Sequence, residues 1–505
     1  MSLNIASAGL SRFWQAVLQL LLTPVIVHLL GPVAYGLVGL YATITLFFAF
    51  LDQAISPLLA RELGRSADRP DAAAHLRCLL RTLEVFSTSV AVGLGLLFAV
   101  GAPTIARSWL ANSGLADSDL ISALRLMGVS LACQWPASLY AAGFVGLHRQ
   151  DLLVLVRVVF TTMQSVGAVV LLTKLSPSPD VFFGWAAITS AVMGITLRIL
   201  LWRIMPPSDA APRIDVAVVK GTWRFAIGNV AIGLTTALLT QSSSLIIAKY
   251  CSLDQLAAYT LAVSLASQVT TILAQPVSAT LMPHFAHLMA ERDETRLARE
   301  YHRWTQILAV LVLPVAGTFF VFARPLLQLW LGKSSPLIEP VLALLPWVTI
   351  GTLFNTLMVA PYFLQIASGW TRLSVTTNVV ALVVTLPALL FGVPRYGPIA
   401  AAICWMALNV GYFLVMVPCM HQRLLSRELW SWWQQDTLFP LAIVGIIYAA
   451  AWLFVPTDLT LLAGVASSVV VALVAWGVLL AALPTVRADV FGILRLLKFR
   501  VSRAS

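Results

Sequence analysis

The chain contains 505 residues, of which 59% are hydrophobic and only 10% are charged, and its formal net charge at pH 7 is +11. Soluble globular proteins carry roughly 25% charged residues, so these proportions exclude a single soluble core, a disordered chain and a disulfide-stapled secreted fold. A nucleic-acid-binding domain is excluded as well, because the basic residues lie in short segments between long apolar runs. The five cysteines form no CxxC pair and no cluster with histidine, and we therefore expect neither a metal site nor a disulfide framework.

Fourteen windows of the sequence are apolar enough and long enough to cross a bilayer as a helix, which requires about 20 mostly apolar residues. The sequence therefore predicts an all-α polytopic membrane protein. The connecting loops are short and leave no room for a soluble catalytic domain, so we expect no catalytic residues. The predicted spans are 9–30, 33–59, 79–102, 120–146, 152–174, 181–202, 222–249, 255–282, 303–323, 340–366, 371–393, 397–420, 438–456 and 459–483.

The distribution of Lys and Arg predicts that both termini lie in the cytoplasm. With the N-terminus inside, the cytoplasmic segments carry 24 of the 32 basic residues and the external segments carry six. Such a positive-inside bias sets the orientation of helical membrane proteins. The basic tail 484–505 is expected to lie on the anionic inner leaflet.

Weak internal similarity predicts two related lobes. LLGPVAYG at 29–36 and YCSLDQLA at 250–257 occupy matching turns between spans. Each lobe would contain six spans and start on the same side, so the repeat is parallel, and transporters of that design bind substrate at the lobe interface. The predicted domains are the N-lobe 1–203, a cytoplasmic linker 204–219, the C-lobe 220–421, spans thirteen and fourteen with an interfacial segment in 422–483, and the tail 484–505.

Polar residues recur at helical spacing on predicted spans one, two, seven and eight. They indicate either a wet cleft shared by these four spans or helix packing through small and polar side chains, which is common in membranes. The candidates for lining such a cleft are Gln15, Gln19, Asn229, Gln268 and Gln275.

Charged residues in or near the predicted spans are few, and charge in a bilayer is expected to pair or to face water. One interpretation is structural: an Asp–Arg or Glu–Arg pair inside the first lobe, with arginines at the helix ends, among them Arg81 and Arg198, snorkelling to the surface. The other is a cationic vestibule open to the cytoplasm, whose arginine forks suit phosphate oxygens. The candidate cations are Arg12, Arg125, Arg157 and Arg224, and the ion-coupling candidates are Asp52 and Glu84.

The sequence running from SRFWQAVLQLLLTPVIVHLLGPVAYG at residue 11 to LARELGR at residue 65 resembles the polysaccharide transporter family, which includes the Wzx-type O-antigen flippases. So do GWTRLSVTTN and VPRYGPIAAAICWMALNVGYFLVMVP within 369–418. The resemblance covers nearly the whole chain. It implies two six-helix lobes plus two C-terminal helices, a fold shared with MATE-type multidrug exporters and lipid II flippases of the MOP superfamily.

For function, the resemblance implies movement of an undecaprenyl-diphosphate-linked oligosaccharide, an O-antigen or exopolysaccharide repeat unit, across a bacterial inner membrane. The direction implied is from the cytoplasmic to the periplasmic leaflet, by alternating access, as in lipopolysaccharide assembly. Arg12, Arg157 and Arg224 are the positions matched to cleft cations. The implied partners are the lipid-linked oligosaccharide, membrane lipids and other polysaccharide-assembly proteins, with no nucleic acid and with the chain acting as a monomer.

The resemblance implies no cofactor beyond a coupling ion, either H⁺ or Na⁺. Spans eight to twelve supply no acidic residue, so we expect Asp52 and Glu84 to be the only buried carboxylates. In this hypothesis Asp52 holds the cleft arginines and releases them on protonation.

Two alternatives stay open. A MATE-type multidrug or cation antiporter shares the fold, but span one lacks the carboxylate that cation-coupled exporters tend to place there. A membrane glycosyltransferase or ligase of the same pathway needs a large external loop or a nucleotide-sugar or metal site, for which this sequence offers no pattern. The sequence therefore favours a flippase over an enzyme.

Overall fold

The computed structural model describes residues 2–52, 56–66, 73–209, 211–214, 216–456 and 459–489, and these residues form helices and connecting turns without a β-strand. The all-α prediction is confirmed. The helices are α1 Ser2–Asp52, α2 Ser56–Ser66, α3 Ala73–Thr104, α4 Asp117–Gly146, α5 Gln150–Lys174, α6 Pro179–Ile204, α7 Val216–Tyr250, α8 Leu253–Val269, α9 Gln275–Glu291, α10 Glu294–Val321, α11 Ala323–Leu331, α12 Ile338–Leu357, α13 Val359–Ala367, α14 Thr371–Tyr396, α15 Pro398–Leu424, α16 Leu429–Ser431, α17 Phe439–Phe454 and α18 Leu461–Ala482.

Eleven helical stretches of the described chain are long and apolar enough to cross a membrane. One of them, Phe13–Phe50, covers most of predicted spans one and two. Predicted spans four and seven fall on α4 and α7, so each of the fourteen predicted spans overlaps a helix of the described chain. The protein is therefore a polytopic helical membrane protein, as the sequence predicts.

The LLGPVAYG turn divides α1 into its two spans. Gly31 has φ 77° and ψ 168°, a backbone conformation that side chains with a Cβ atom rarely adopt. Pro32 follows and lacks the N–H that would continue the helical hydrogen bonds. A Cβ on Gly31 would meet nothing within 4 Å, so glycine is required here by conformation and not by space.

The helices group into two compact units. The first comprises residues 1–260 and 378–401, and the second comprises residues 261–377 and 402–505. Buried leucine and aromatic side chains of α2 to α6, including Phe144 and Leu201, form a core within the first unit. In the second unit, apolar side chains of α10, α12, α17 and α18 form a comparable core. The predicted lobe boundaries divide the chain differently and stay a prediction.

One expectation about charge is wrong. Asp436 precedes predicted span thirteen, but a π-helical turn, Trp432–Leu438, joins α16 to α17 in one helical run. Asp436 lies in this turn with a relative exposure of 0%. Asp52 and Glu84 are therefore not the only candidates for buried carboxylates, because the helix extends further toward its N-terminus than apolar content alone indicates.

Candidate functional site

Glu84 is the centre of a charged cluster inside the first unit. Its side chain is only 4% exposed, and it accepts hydrogen bonds from three donors. Arg81 Nη1 and the Tyr140 hydroxyl each lie 2.8 Å from a carboxylate oxygen, and Arg198 Nε donates to the same oxygen as Tyr140. We call Arg81, Glu84, Tyr140 and Arg198 the Glu84 cluster. A buried carboxylate is tolerated only when it is paired in this way.

Helix geometry explains how three helices assemble the Glu84 cluster. Arg81 and Glu84 are three residues apart on α3 and therefore share a face. Tyr140 lies near the C-terminal end of α4, and Arg198 lies in the last two turns of α6. Gly143 permits the close approach of α4 and α6, since a Cβ there would lie 2.5 Å from a methyl carbon of Leu201.

The Glu84 cluster borders a cavity of about 530 Å³ between α3, α4 and α6. The side chains of Arg81 and Arg198 are 43% and 46% exposed, so both guanidinium groups are accessible beside the buried carboxylate. Two guanidinium groups and one carboxylate carry one net positive charge. Besides Arg81, Glu84, Tyr140 and Arg198, the cavity is lined by Val85, Thr88, Ser89, Cys133, Pro136, Ala191, Gly194 and Ile195.

This arrangement is suited to binding an anion next to apolar surface. A guanidinium group has five N–H donors, and Glu84 occupies one of them on each arginine. The planar forks of Arg match carboxylate and phosphate oxygens, and such charge-assisted bonds are stronger than neutral ones. Glu84 thus holds two arginines that line the cavity and remain partly exposed.

The predicted cations Arg125 and Arg157 are both exposed, on α4 and α5. Arg125 lies near the start of α4 and Arg157 near the start of α5, and the chain reverses between the two helices. At a rise of about 1.5 Å per residue, the two arginines are about 20 Å apart along antiparallel helices. The structure therefore does not bring Arg125 and Arg157 together.

The remaining predicted site residues fall into two groups. Gln15, Gln19 and Gln275 are exposed, and Gln268 is half-buried. The side chains of Arg12, Asp52, Arg224 and Asn229 lie outside the described residues. Their roles stay predictions.

Sequence reasoning anticipated a Glu–Arg pair in the first lobe but missed two members of the Glu84 cluster. The sequence places Arg198 at a helix end, where snorkelling to the surface is expected, and it gives no indication for Tyr140. The sequence contains one signal for Arg198, which is its depth in the predicted bilayer. Counting residues along the helices places Glu84, near the start of α3, and Arg198, near the end of α6, at the same side of the bilayer.

A bundle of apolar spans with a buried and paired carboxylate inside it defines a polytopic helical membrane protein. The fold matches the lipid II flippase MurJ in an inward closed conformation, with a TM-score of 0.72 and 12% identity, over 95% of this chain and 98% of that one. It also matches an inward-facing multidrug resistance MATE family transporter of the MOP superfamily, with a TM-score of 0.63 and 13% identity, over 81% and 96% of the chains. At these identities the likeness establishes the fold.

The chain belongs to the polysaccharide biosynthesis protein family, which matches residues 25–335. The succinoglycan biosynthesis transport protein ExoT of Rhizobium meliloti (strain 1021) is 23% identical to it over 376 residues, 72% of this chain and 69% of ExoT. The predicted membership in a polysaccharide biosynthesis family is confirmed, and the fold is the one that MurJ and the MATE family transporter share.

Proposed function

We propose that this protein is a flippase that moves an undecaprenyl-diphosphate-linked oligosaccharide from the cytoplasmic to the periplasmic leaflet of a bacterial inner membrane. Membership in the polysaccharide biosynthesis family and the MOP fold support the general class. The proposed mechanism is alternating access. Because the relative ExoT is a succinoglycan transport protein, we favour an exopolysaccharide repeat unit over an O-antigen unit as the cargo.

The observation that carries this proposal is the pair of accessible arginines that Glu84 holds beside the cavity. A diphosphate presents several anionic oxygens at a fixed spacing, which two guanidinium forks can bind together. Charge–charge attraction is stronger next to apolar walls than in water, because the effective dielectric constant is lower. In the proposed loading step the diphosphate takes the free N–H donors of Arg81 and Arg198, and Glu84 keeps both arginines in place.

The proposed orientation places the Glu84 cluster toward the cytoplasmic leaflet. With the N-terminus inside, the start of α3 and the ends of α4 and α6 all face the cytoplasm, where lipid-linked precursors are made available. The predicted cations Arg12, Arg157 and Arg224 lie at the same side by helix count and extend the hypothesis to a wider basic vestibule. Arg125 lies at the opposite end and is not part of the proposed loading site.

The experiment is leaflet translocation in proteoliposomes. Purified protein is reconstituted with a fluorescent undecaprenyl-diphosphate oligosaccharide, and the fraction accessible to a membrane-impermeant quencher is followed over time. Protein-free liposomes and the same oligosaccharide on an uncharged polyprenyl lipid are the controls. We expect transport of the diphosphate-linked form only. Absence of flipping together with gradient-driven efflux of a cationic dye would instead support the MATE-type antiporter.

A further inference from the structure

A second buried polar cluster lies inside the second unit and is centred on His302 of α10. Its ring Nδ1 contacts Oδ2 of Asp436, and its Nε2 is 3.0 Å from Oε2 of Glu428. Asp436 is fully buried, and Gln306 donates a hydrogen bond of 2.8 Å to its other oxygen. We call His302, Asp436 and Glu428 the His302 cluster. Sequence analysis did not identify it.

The two contacts of His302 need two protons. An ionised carboxylate only accepts hydrogen bonds, and a neutral imidazole carries a single N–H. One N–H satisfies one carboxylate, so the other contact requires either a second proton on the ring or a proton on Asp436 or Glu428. The two observed contacts therefore require one proton more than a neutral histidine and two ionised carboxylates carry. When this proton is lost, one of the two contacts breaks.

His421, on α15 close to His302, shows the contrasting arrangement. It is fully buried, and its Nδ1 lies 2.9 Å from the carbonyl oxygen of Val417 while its Nε2 lies 3.3 Å from the hydroxyl of Tyr301. The carbonyl accepts from the ring N–H, and the hydroxyl donates to the other nitrogen. A neutral imidazole satisfies both partners, so only His302 requires the additional proton.

The other charged groups around the His302 cluster have partners of their own. Arg303 binds both oxygens of Asp489 at 2.7 Å and also bonds Glu300, and His284 on α9 contacts Glu300 at 3.2 Å. None of these hydrogen bonds involves His302. The titratable and charged groups that face the cluster are thus Tyr301, Arg303 and Glu300 of α10, His284 of α9, His421 of α15 and Asp489.

Gln306 connects the His302 cluster to residues 484–489. Its amide donates to Asp436, and its carbonyl oxygen accepts from the hydroxyl of Thr485. Arg303, the neighbour of His302, holds the same segment through Asp489. Gln306 therefore links Asp436 to the segment that follows α18.

We propose that the His302 cluster is the proton-binding site through which transport is coupled to a proton gradient. The proposal rests on the flippase function, since coupling requires a transported substrate. Uptake forms an N–H or O–H bond from a lone pair of His302, Asp436 or Glu428, and release returns the proton to water without any redox change. When the proton is bound, His302 makes both contacts. When the proton is released, one contact breaks, and the resulting movement of Asp436 displaces Gln306.

The test compares flipping with and without an imposed pH gradient in wild type, His302→Gln and Glu428→Gln. His287→Gln is the matched control, because His287 is 73% exposed and pairs with the single carboxylate Glu291. We expect the gradient to accelerate flipping about tenfold or more in wild type and His287→Gln, and less than about twofold in both cluster variants. Flipping at zero gradient shows that each variant is folded, and Glu428→Gln is the fallback if His302→Gln does not fold, since Glu428 is partly exposed.

A substrate-free measurement separates failure of this proposal from failure of the flippase function. In nanodiscs containing ¹⁵N-histidine-labelled protein, the His302 signals are assigned by their loss in His302→Gln. The His302 signals are expected to change with pH, while those of His421 stay at the neutral form. Equal gradient dependence in wild type and His302→Gln, or His302 ring signals that do not change with pH, would overturn the proton site. If wild type does not flip the lipid at all, the flippase function fails, and the ¹⁵N titration still decides whether the cluster binds a proton.

Discussion

Glu84 and Arg198 are 114 residues apart in the chain, yet their side chains form a direct ion pair that joins α3 to α6. Glu84 is buried, whereas Arg198 remains half-exposed beside the cavity. The pair therefore combines two properties. It satisfies the charge of a carboxylate within an apolar unit, and it fixes the position of a cation that can still reach a ligand.

The hydroxyl of Tyr140 donates a hydrogen bond of 2.8 Å to the carboxylate of Glu84. We expect Tyr140→Phe to lower the stability of the protein by about 2 kcal/mol, because it removes one hydrogen bond to a charged group. Flipping should fall by less than about threefold, since both guanidinium groups and Glu84 remain. Thermal unfolding in detergent and the leaflet assay measure the two effects. A large loss of flipping at unchanged stability would show that Tyr140 contacts the substrate.

The last residue of α4, Gly146, permits close packing against α2. A Cβ at this position would lie 2.7 Å from the carbonyl oxygen of Ala60 and 2.8 Å from Leu63 Cβ. Because backbone atoms cannot move aside, we expect Gly146→Ala to cost about 1–3 kcal/mol of stability. Gly184→Ala on α6 is the control, since a Cβ there meets nothing within 4 Å. Equal melting temperatures for the two variants would contradict the packing of α2 against α4.

Asp293 precedes α10 outside the predicted spans and caps it. Its carboxylate accepts hydrogen bonds from the backbone N–H of Arg296 at 2.9 Å and from Thr295. The bond from Arg296 is the main reason that the pKa of Asp293 is held below its ordinary value of 3.8. A carboxylate with a lowered pKa in the folded state stabilises the fold above its unfolded pKa, and this stabilisation is lost as the pH falls through the folded pKa.

We therefore expect Asp293→Ala to lower the melting temperature at pH 7 and to have progressively less effect as the pH falls below about 4. Differential scanning fluorimetry across that range measures the difference between the variant and wild type. Asp254→Ala, which replaces an acidic residue in the first turn of α8, controls for the loss of one negative charge. A difference that is independent of pH would show that the cap does not act through the ionised carboxylate.

Much of the fold follows from the sequence because helix length and apolar content are local properties. Each predicted span overlaps a helix of the described chain, and the Gly31–Pro32 break lies where the turn between spans one and two is predicted. The charge clusters depend instead on contacts between distant helices. Spacing on α3 indicates that Arg81 and Glu84 share a face, but nothing local to Arg198 shows which carboxylate it meets.

The His302 cluster illustrates a different limit. Asp436 lies in the segment SWWQQDTL, whose tryptophans and polar residues are typical of a membrane interface, and apolar content starts span thirteen only afterwards. The π-helical turn extends the helix through this segment and buries Asp436 against His302 and Gln306. Burial of such a residue is decided by the helices that pack around it, which a single sequence does not display.

In the proposed function, movement of a diphosphate-linked lipid requires two oriented arginines, and a Glu84 carboxylate with hydrogen-bond partners is not sufficient by itself. The direct measurement is the flipping rate of Arg198→Gln and of the double variant Glu84→Gln/Arg198→Gln in proteoliposomes. The double variant keeps the net charge of the Glu84 cluster and leaves no ionised carboxylate buried in it. Arg203→Gln, an exposed arginine of the same helix, is the control, and thermal unfolding checks that each variant is folded.

We expect both Arg198 variants to flip about tenfold to a hundredfold more slowly than wild type, because each loses a charge-assisted contact to the diphosphate. Arg203→Gln should flip at the wild-type rate. If the double variant recovers the wild-type rate while Arg198→Gln does not, the ion pair serves only the stability of the first unit, and the proposed role of Arg198 in binding the substrate is contradicted.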